Sequence, residues 1–259
     1  MMEEKSNDSA VLRVEELDLA YGDFEVLKDI SFKVRDGSCL VVMGGSGCGK
    51  STLLKSLIGL LPPKNGRVFL HSEDLWASAS EERLTILRKL GVLFQGGALW
   101  SSMNLLENVS LPLETYTDLS ETEIEQIAEY KLSLVGLAGY EEFYPSQLSG
   151  GMKKRAGLAR AMALDPQVLF FDEPSAGLDP LTSRRLDDLI NELKESLGMT
   201  FVVVSHELAS IFEIADDSVF LDSQTKTLLD QGNPTWLAEN SEHDHVRTFL
   251  TRGEESKEL

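Results

Sequence analysis

The chain has 259 residues, 42% of them hydrophobic, and a net charge of −19. Length and apolar content suit one large globular domain, or one domain with a small insertion, around a substantial core. So acidic a surface repels nucleic-acid backbones, which argues against DNA or RNA as a partner and leaves solubility or a basic partner as the use of the charge. The two cysteines, Cys39 and Cys48, sit in an apolar stretch and a Gly-rich stretch. Neither reads as half of a structural disulfide, which fits a reducing cytosol. The N-terminus lacks the apolar core of a signal peptide, and no apolar run approaches a membrane span, so a membrane role is expected to go through a partner.

In chain order, residues 1–9 are polar and expected to be disordered. Val11–Ala20 and Glu25–Val34 alternate in polarity around Gly22-Asp23 and predict two antiparallel strands. An apolar strand over Ser38–Met43 then runs into Gly44-Gly45-Ser46-Gly47-Cys48-Gly49-Lys50-Ser51-Thr52, followed by a helix carrying Leu53, Leu54, Leu57 and Ile58. This is a complete Walker A phosphate loop in its strand–loop–helix setting. The glycines let backbone N–H groups curl inward, and the helix N-terminus adds partial positive charge. Lys50 is placed to reach the β- and γ-phosphates, and Ser51 to give a hydroxyl to Mg²⁺.

Beyond the break at Pro62-Pro63, a strand is expected at Arg67–His71, a helix from Ser80 and a short strand at Gly91–Phe94. Residues 96 to about 147 change character. Asn104–Leu113 and Ser120–Leu134 read as helices without a strand between them, the second with Ser120 as its cap and acids in its first turn. This predicts a helical subdomain inserted into an α/β core. A helix over Gly150–Leu164, strand Val168–Asp172, helix Pro180–Leu197, strand Met199–Ser205, helix Glu207–Ala215 and strand Asp217–Leu221 follow. Such alternation predicts a largely parallel sheet covered by helices. Residues 241–259 are polar apart from Val246, Phe249 and Leu250.

Val168-Leu169-Phe170-Phe171-Asp172-Glu173 is an apolar strand delivering two acids to its C-terminal end, where ligands sit in such sheets. Asp172 can hold Mg²⁺ through water, and Glu173 can take a proton from, or orient, an attacking water. Ser149, Gly150 and Gly151 open a helix and form a second anion cradle about a hundred residues after the first. That pairing suggests a composite site closed by another subunit; an ordinary capped helix is the plain alternative. Lys153, Lys154 and Arg155 read as a solvated basic face or local salt bridges.

Over essentially its whole length the sequence resembles an ATP-binding-cassette (ABC) ATPase. The matching pieces come in the family's order: Tyr21, the loop at 44–52, Gln95, the signature Leu148-Ser149-Gly150-Gly151-Met152, Walker B Asp172-Glu173, the D-loop Ser175-Ala176-Gly177-Leu178-Asp179, and His206. Met152 departs from the usual Gln. The resemblance implies a P-loop α/β fold with an antiparallel N-terminal β subdomain, and an ATPase domain over 10–240 with its helical subdomain at about 96–164. It implies a head-to-tail dimer holding two ATP molecules with Mg²⁺: Tyr21 stacks on adenine, Asp179 belongs to the nucleotide site, and Lys50 and Ser51 act opposite Ser149 and Gly151 of the other copy. Gln95 would touch Mg²⁺ and sense the coupling partner, and His206 would hold the γ-phosphate region.

Gln95-Gly96-Gly97-Ala98-Leu99-Trp100, the stretch Met103–Val109, Gly150–Ala161 with its Met, and Val246–Leu250 are similar to MlaF-type ATPases. That branch implies phospholipid transport with an MlaE-type permease, MCE-domain and STAS-domain (MlaB-type) subunits, a place on the inner face of the cell membrane, and 241–259 as a tail for partner contact. Another ABC transporter's ATPase (amino-acid import or lipoprotein extraction) and a soluble ABC ATPase without a permease are the alternatives. The Ala98-Leu99-Trp100 run reads equally as a permease-docking groove or as packing against the helical subdomain.

Overall fold

The computed structural model describes residues 10–251. The predicted disorder of residues 1–9, and the last residues of the tail, lie outside the described residues. In chain order the elements are β1 (Ala10–Tyr21), β2 (Phe24–Arg35), β3 (Cys39–Gly44), α1 (Lys50–Leu57), β4 (Asn65–Leu70), β5 (Glu73–Asp74), α2 (Ser80–Leu87), β6 (Leu90–Leu93), α3 (Leu105–Tyr116) and α4 (Glu121–Leu134). They continue with α5 (Gly150–Ala161), β7 (Val168–Asp172), α6 (Pro180–Leu197), β8 (Phe201–Val204), α7 (Leu208–Ile214), β9 (Asp217–Leu221), β10 (Leu228–Gly232), α8 (Pro234–Asn240) and α9 (Asp244–Thr251).

Two sheets form: antiparallel β2-β1-β4-β5, and a six-stranded sheet ordered β10-β9-β3-β8-β7-β6. In the larger sheet only β10 runs antiparallel to its neighbour; β9, β3, β8, β7 and β6 are parallel. Period-two side-chain alternation divides its central strands between two cores. Val41, Met43, Leu169, Phe171, Phe201 and Val203 pack on the helices α3–α9. Leu40, Val42, Val168, Phe170, Val202 and Val204 pack on α1 and the antiparallel sheet. Both faces are covered, so β3, β7 and β8 are continuous apolar runs, as parallel strands require. Phe170, Phe171 and Phe201 are fully buried, and truncating any one to Ala would cost about 3–5 kcal/mol.

Helices α3, α4 and α5 form the inserted helical layer. The first two start on reciprocal caps: Asn104 with Glu107, and Ser120 with Glu123. At the other end of the chain, Val246 and Leu250 of α9 are buried in the helix-side core. Among the described residues no helix is long and apolar enough to cross a membrane. Both cysteines are free and buried.

Candidate functional site

Because β3, β8, β7 and β6 are parallel neighbours, their C-terminal ends share one sheet edge. The loop at 44–52 leaves β3, His206 lies just past β8, Asp172 ends β7 with Glu173 after it, and Gln95 lies just past β6. Four separate segments that carry chemistry are therefore collected along one edge, which is where ligands bind in such sheets.

The loop, Tyr21, Phe24, Glu173, His206 and Phe249 line one open cleft of about 780 Å³. Lys50 is only 8% exposed, and its Nζ donates to the carbonyls of Gly44 (2.8 Å) and Gly45 (2.9 Å). Gly44 has φ +144°, and a Cβ there would lie 2.3 Å from the Leu221 carbonyl oxygen, so glycine is required. The N-terminus of α1 has Gly49 as its cap, no side-chain acceptor and no acid in its first turn. Its leading N–H groups are thus available to an anion. Across the cleft Glu173 holds φ +48°, a left-handed backbone uncommon for a non-glycine residue. Its Oε1 is 3.0 Å from His206 Nδ1, and its N–H donates to the Val204 carbonyl (2.9 Å).

The electrostatics fit a magnesium–nucleotide complex. Burial, reinforced by the charge of Glu173, pushes the Asp172 carboxyl up, while Lys55 and Lys50 pull it back. A cation arriving there would relieve that cost. Among the described residues no group of three His, Cys, Asp or Glu could hold a metal unaided. Burial also pushes the Cys48 thiol up against the pull of Lys50, so Cys48 serves the loop as a packed thiol.

The family model described as ABC transporter matches residues 27–176. The chain belongs to the ABC transporter family. MlaF of Escherichia coli K12, an intermembrane phospholipid transport system ATP-binding protein, is 39% identical over 225 residues, covering 87% of this chain and 82% of that one. The probable ribonucleotide transport ATP-binding protein mkl of Mycobacterium tuberculosis is 38% identical over 239 residues. There the chain is covered to 92% but spans only 66% of the relative's length. Among solved structures, cbiO1 from Clostridium perfringens, part of the ABC transporter complex cbiONQ, superposes with a TM-score of 0.82 at 28% identity, covering 89% of this chain and 91% of that one. The cassette MJ0796, in a dimeric post-hydrolysis state bound to ADP and Pi, gives 0.77 at 28% identity, with 86% and 98% covered.

Within one copy of the cassette, Gln95, Asp172, Ser149, Gly150, Gly151 and Asp179 do not line the cleft. Ser149 caps α5, accepting from Met152 N–H at 3.3 Å. Gly151 is packed so closely that a Cβ would lie 2.4 Å from Thr182 Cγ2. Asp179 caps α6: its carboxylate accepts from the Thr182 hydroxyl at 2.5 Å and from the N–H groups of Thr182 and Leu181 at 3.1 Å each, and these bonds, the hydroxyl's foremost, hold its carboxyl low.

Three further residues beside the site lie in stretches legible in the sequence only as parts of longer segments. Phe249 enters the cleft from α9, and the i, i+3, i+4 spacing of Val246, Phe249 and Leu250 marks that helix. Arg160 on α5 donates to the carbonyls of Ala98 (2.6 Å) and Gly97 (3.2 Å), tying the loop after Gln95 to the signature helix. Buried Asn108 braces the same loop through the backbone of Trp100, donating to its carbonyl and accepting from its N–H. In the 98–100 run Leu99 packs on the core while Trp100 is 57% exposed. The basic cluster at 153–155 is not a solvated face. Lys154 is buried and Arg155 donates to the Val135 carbonyl, because the helix turns these positions toward loops of its own chain.

Proposed function

We propose that this cassette binds ATP with Mg²⁺ and hydrolyses it between two head-to-tail copies of the chain, driving an MlaE-type permease in phospholipid transport. The observation that carries the reading is the division of the site residues. Lys50, Glu173 and His206 line one cleft, while Ser149, Gly150, Gly151 and Asp179 stand off it and would meet the nucleotide of a second copy; Gln95 and Asp172 also stand off the cleft, at the same sheet edge, where a bound Mg²⁺ would bring them to the phosphates. In this reading Tyr21 stacks on adenine and the 44–52 loop cradles the phosphates. Lys50 exchanges its two carbonyl partners for the β- and γ-phosphates. Ser51, Gln95 and, through water, Asp172 hold Mg²⁺, which when bound neutralises phosphate charge. Glu173, its Oε1 fixed by His206, takes the proton of the attacking water, and His206 holds the γ-phosphate region.

MCE-domain and STAS-domain (MlaB-type) subunits complete the assembly, at the inner face of the cell membrane. Residues 10–240 form the ATPase domain, with a helical subdomain at about 96–164. Residues 241–259 are the partner-contacting tail in this reading, and within their described part Val246 and Leu250 are buried in the core. Phospholipid is preferred over ribonucleotide as cargo because identity is similar, 38–39% against 38%, but the MlaF relatives are covered more fully along their own length, at 81–82% against 66%.

Glu173→Gln should bind ATP, stop turnover and accumulate as a dimer on sizing in ATP; turnover at the wild-type rate removes Glu173 from its role. Lipid analysis of the complex co-purified from detergent-solubilised membranes should find enriched phospholipid, and bound ribonucleotide in its place would reassign the cargo.

A further inference from the structure

Lys154 is an unusual place for a cation. It lies on α5, is 5% exposed, and its Nζ donates to two backbone carbonyls, those of Pro174 and Ala176 (2.6 Å to the latter). These flank Ser175, in the loop that leaves Glu173. On its other side that loop is held through Ser175 Oγ, 3.0 Å from Ser210 Oγ, which in turn donates to Asp187 Oδ2 at 2.8 Å. Residues 174–176 are therefore gripped by the signature helix on one side and by α6 and α7 on the other.

Glu173 itself needs that grip. A non-glycine residue in the left-handed region persists only where its surroundings over-determine it. Its own N–H is fixed on Val204, and its carbonyl accepts from Ala176 N–H at 3.1 Å, inside the segment that Lys154 holds. Burial lowers the Lys154 ammonium's pKa, with Glu207 and Glu173 drawing it back up, so the cation is retained against a desolvation cost. Removing it would leave two carbonyls without their donor, and the loop would have to move to satisfy them.

We infer that Lys154 is a positioning residue for Glu173, fixing the loop that sets the carboxylate's place in the cleft. This rests on Glu173 taking the proton from water, as proposed above. A residue that acts only through Glu173 loses its effect once Glu173 cannot do its work, and a double-mutant cycle reads that directly.

Lys154→Met keeps the stem and removes the ammonium. In single turnovers of the full-length chain with its co-purified subunits, it should lower the rate of hydrolysis about 10²-fold, the scale of an ångström's misplacement. The ATP dissociation constant should stay within about threefold, since phosphate binding is separate from the chemical step. Lys154→Arg, which keeps charge and donors, should recover at least about a tenth of the rate. In a Glu173→Gln background, followed in long single turnovers to its slow residual rate of hydrolysis, Lys154→Met should cost less than about twofold further. An unchanged rate for Lys154→Met, or the same fold-loss from the residual rate of Glu173→Gln as from the wild type, overturns the inference alone. Wild-type turnover by Glu173→Gln overturns the underlying reading, and the inference with it. If Lys154→Met does not fold, the cycle is run with Lys154→Gln, whose amide can still donate to one carbonyl, under the same criteria.

Discussion

Gly157 sits in the middle of α5, where helix propensity alone says Ala should be better. Replacing Gly by Ala in a helix interior gains about 1 kcal/mol. The surroundings reverse that sign. A Cβ at 157 would lie 2.8 Å from the Gly97 carbonyl oxygen, 2.9 Å from Leu93 Cδ1 and 3.1 Å from Gly97 Cα. Two of those three atoms are backbone, and the third belongs to a fully buried leucine, so none is a flexible end that can swing away. Gly97 cannot retreat easily either: it holds φ +75° and accepts from Arg160. Overpacking of this kind costs about 1–3 kcal/mol. Set against the propensity gain of about 1 kcal/mol, Gly157→Ala should come out destabilised by up to about 2 kcal/mol, a drop of up to about 8 °C in melting temperature at this chain length. Differential scanning calorimetry of the two proteins in the same buffer measures it. A rise of a few degrees would mean that α5 and the loop after Gln95 do not approach as described.

Lys50→Ala should nearly abolish ATP binding in an equilibrium titration, because the β- and γ-phosphates lose their point charge; near-normal affinity would remove Lys50 from its role. In the assembled complex, a Ser149→Arg copy paired with a Lys50→Ala copy puts both defects in one site and neither in the other, so it should exceed either mutant homodimer in ATPase rate. Activity confined instead to a wild-type copy paired with the double mutant would place both motifs on one nucleotide within one chain. Burial, with Glu207, Glu213 and Asp188 adding to it and Ser210 opposing, pushes the Asp187 carboxyl from 3.8 to about 6. The native state therefore binds more protons than the unfolded chain between those values, and this group's cost, on the order of 1–3 kcal/mol at pH 7.5, should fade as pH drops through 6 toward 4. Melting temperatures from pH 7.5 to 5 should rise in the wild type relative to Asp187→Asn; parallel curves would show that Asp187 is ordinary.

What could be read directly from the chain was local. The loop at 44–52 needs only its own spacing, and β7 announces itself by an apolar run that stops at two acids. The short edge elements were hidden because edges are half wet. β10 reads Leu-Leu-Asp-Gln-Gly, with neither alternation nor a continuous apolar run, and β5 is two acidic residues long. Helix α9 is polar in composition, and its two buried side chains are meaningful only once β9 supplies something to bury them against. Lys154 was misread for a related reason. A lysine between Lys153 and Arg155 looks solvated, and only the fold shows two carbonyls of a loop twenty residues downstream waiting beneath it.

The bonds from Arg160 to the loop after Gln95 have a mechanical meaning. Asn108 makes the Trp100 turn rigid, Arg160 and the Gly97–Gly157 approach weld that turn to α5, and Ser149 stands at the far end of the same helix. Turn and helix are one lever, with an arm of about 16 Å between Arg160 and Ser149. The exposed indole and Ser149 therefore belong to one continuously bonded unit of the fold, joined through side-chain bonds and close packing.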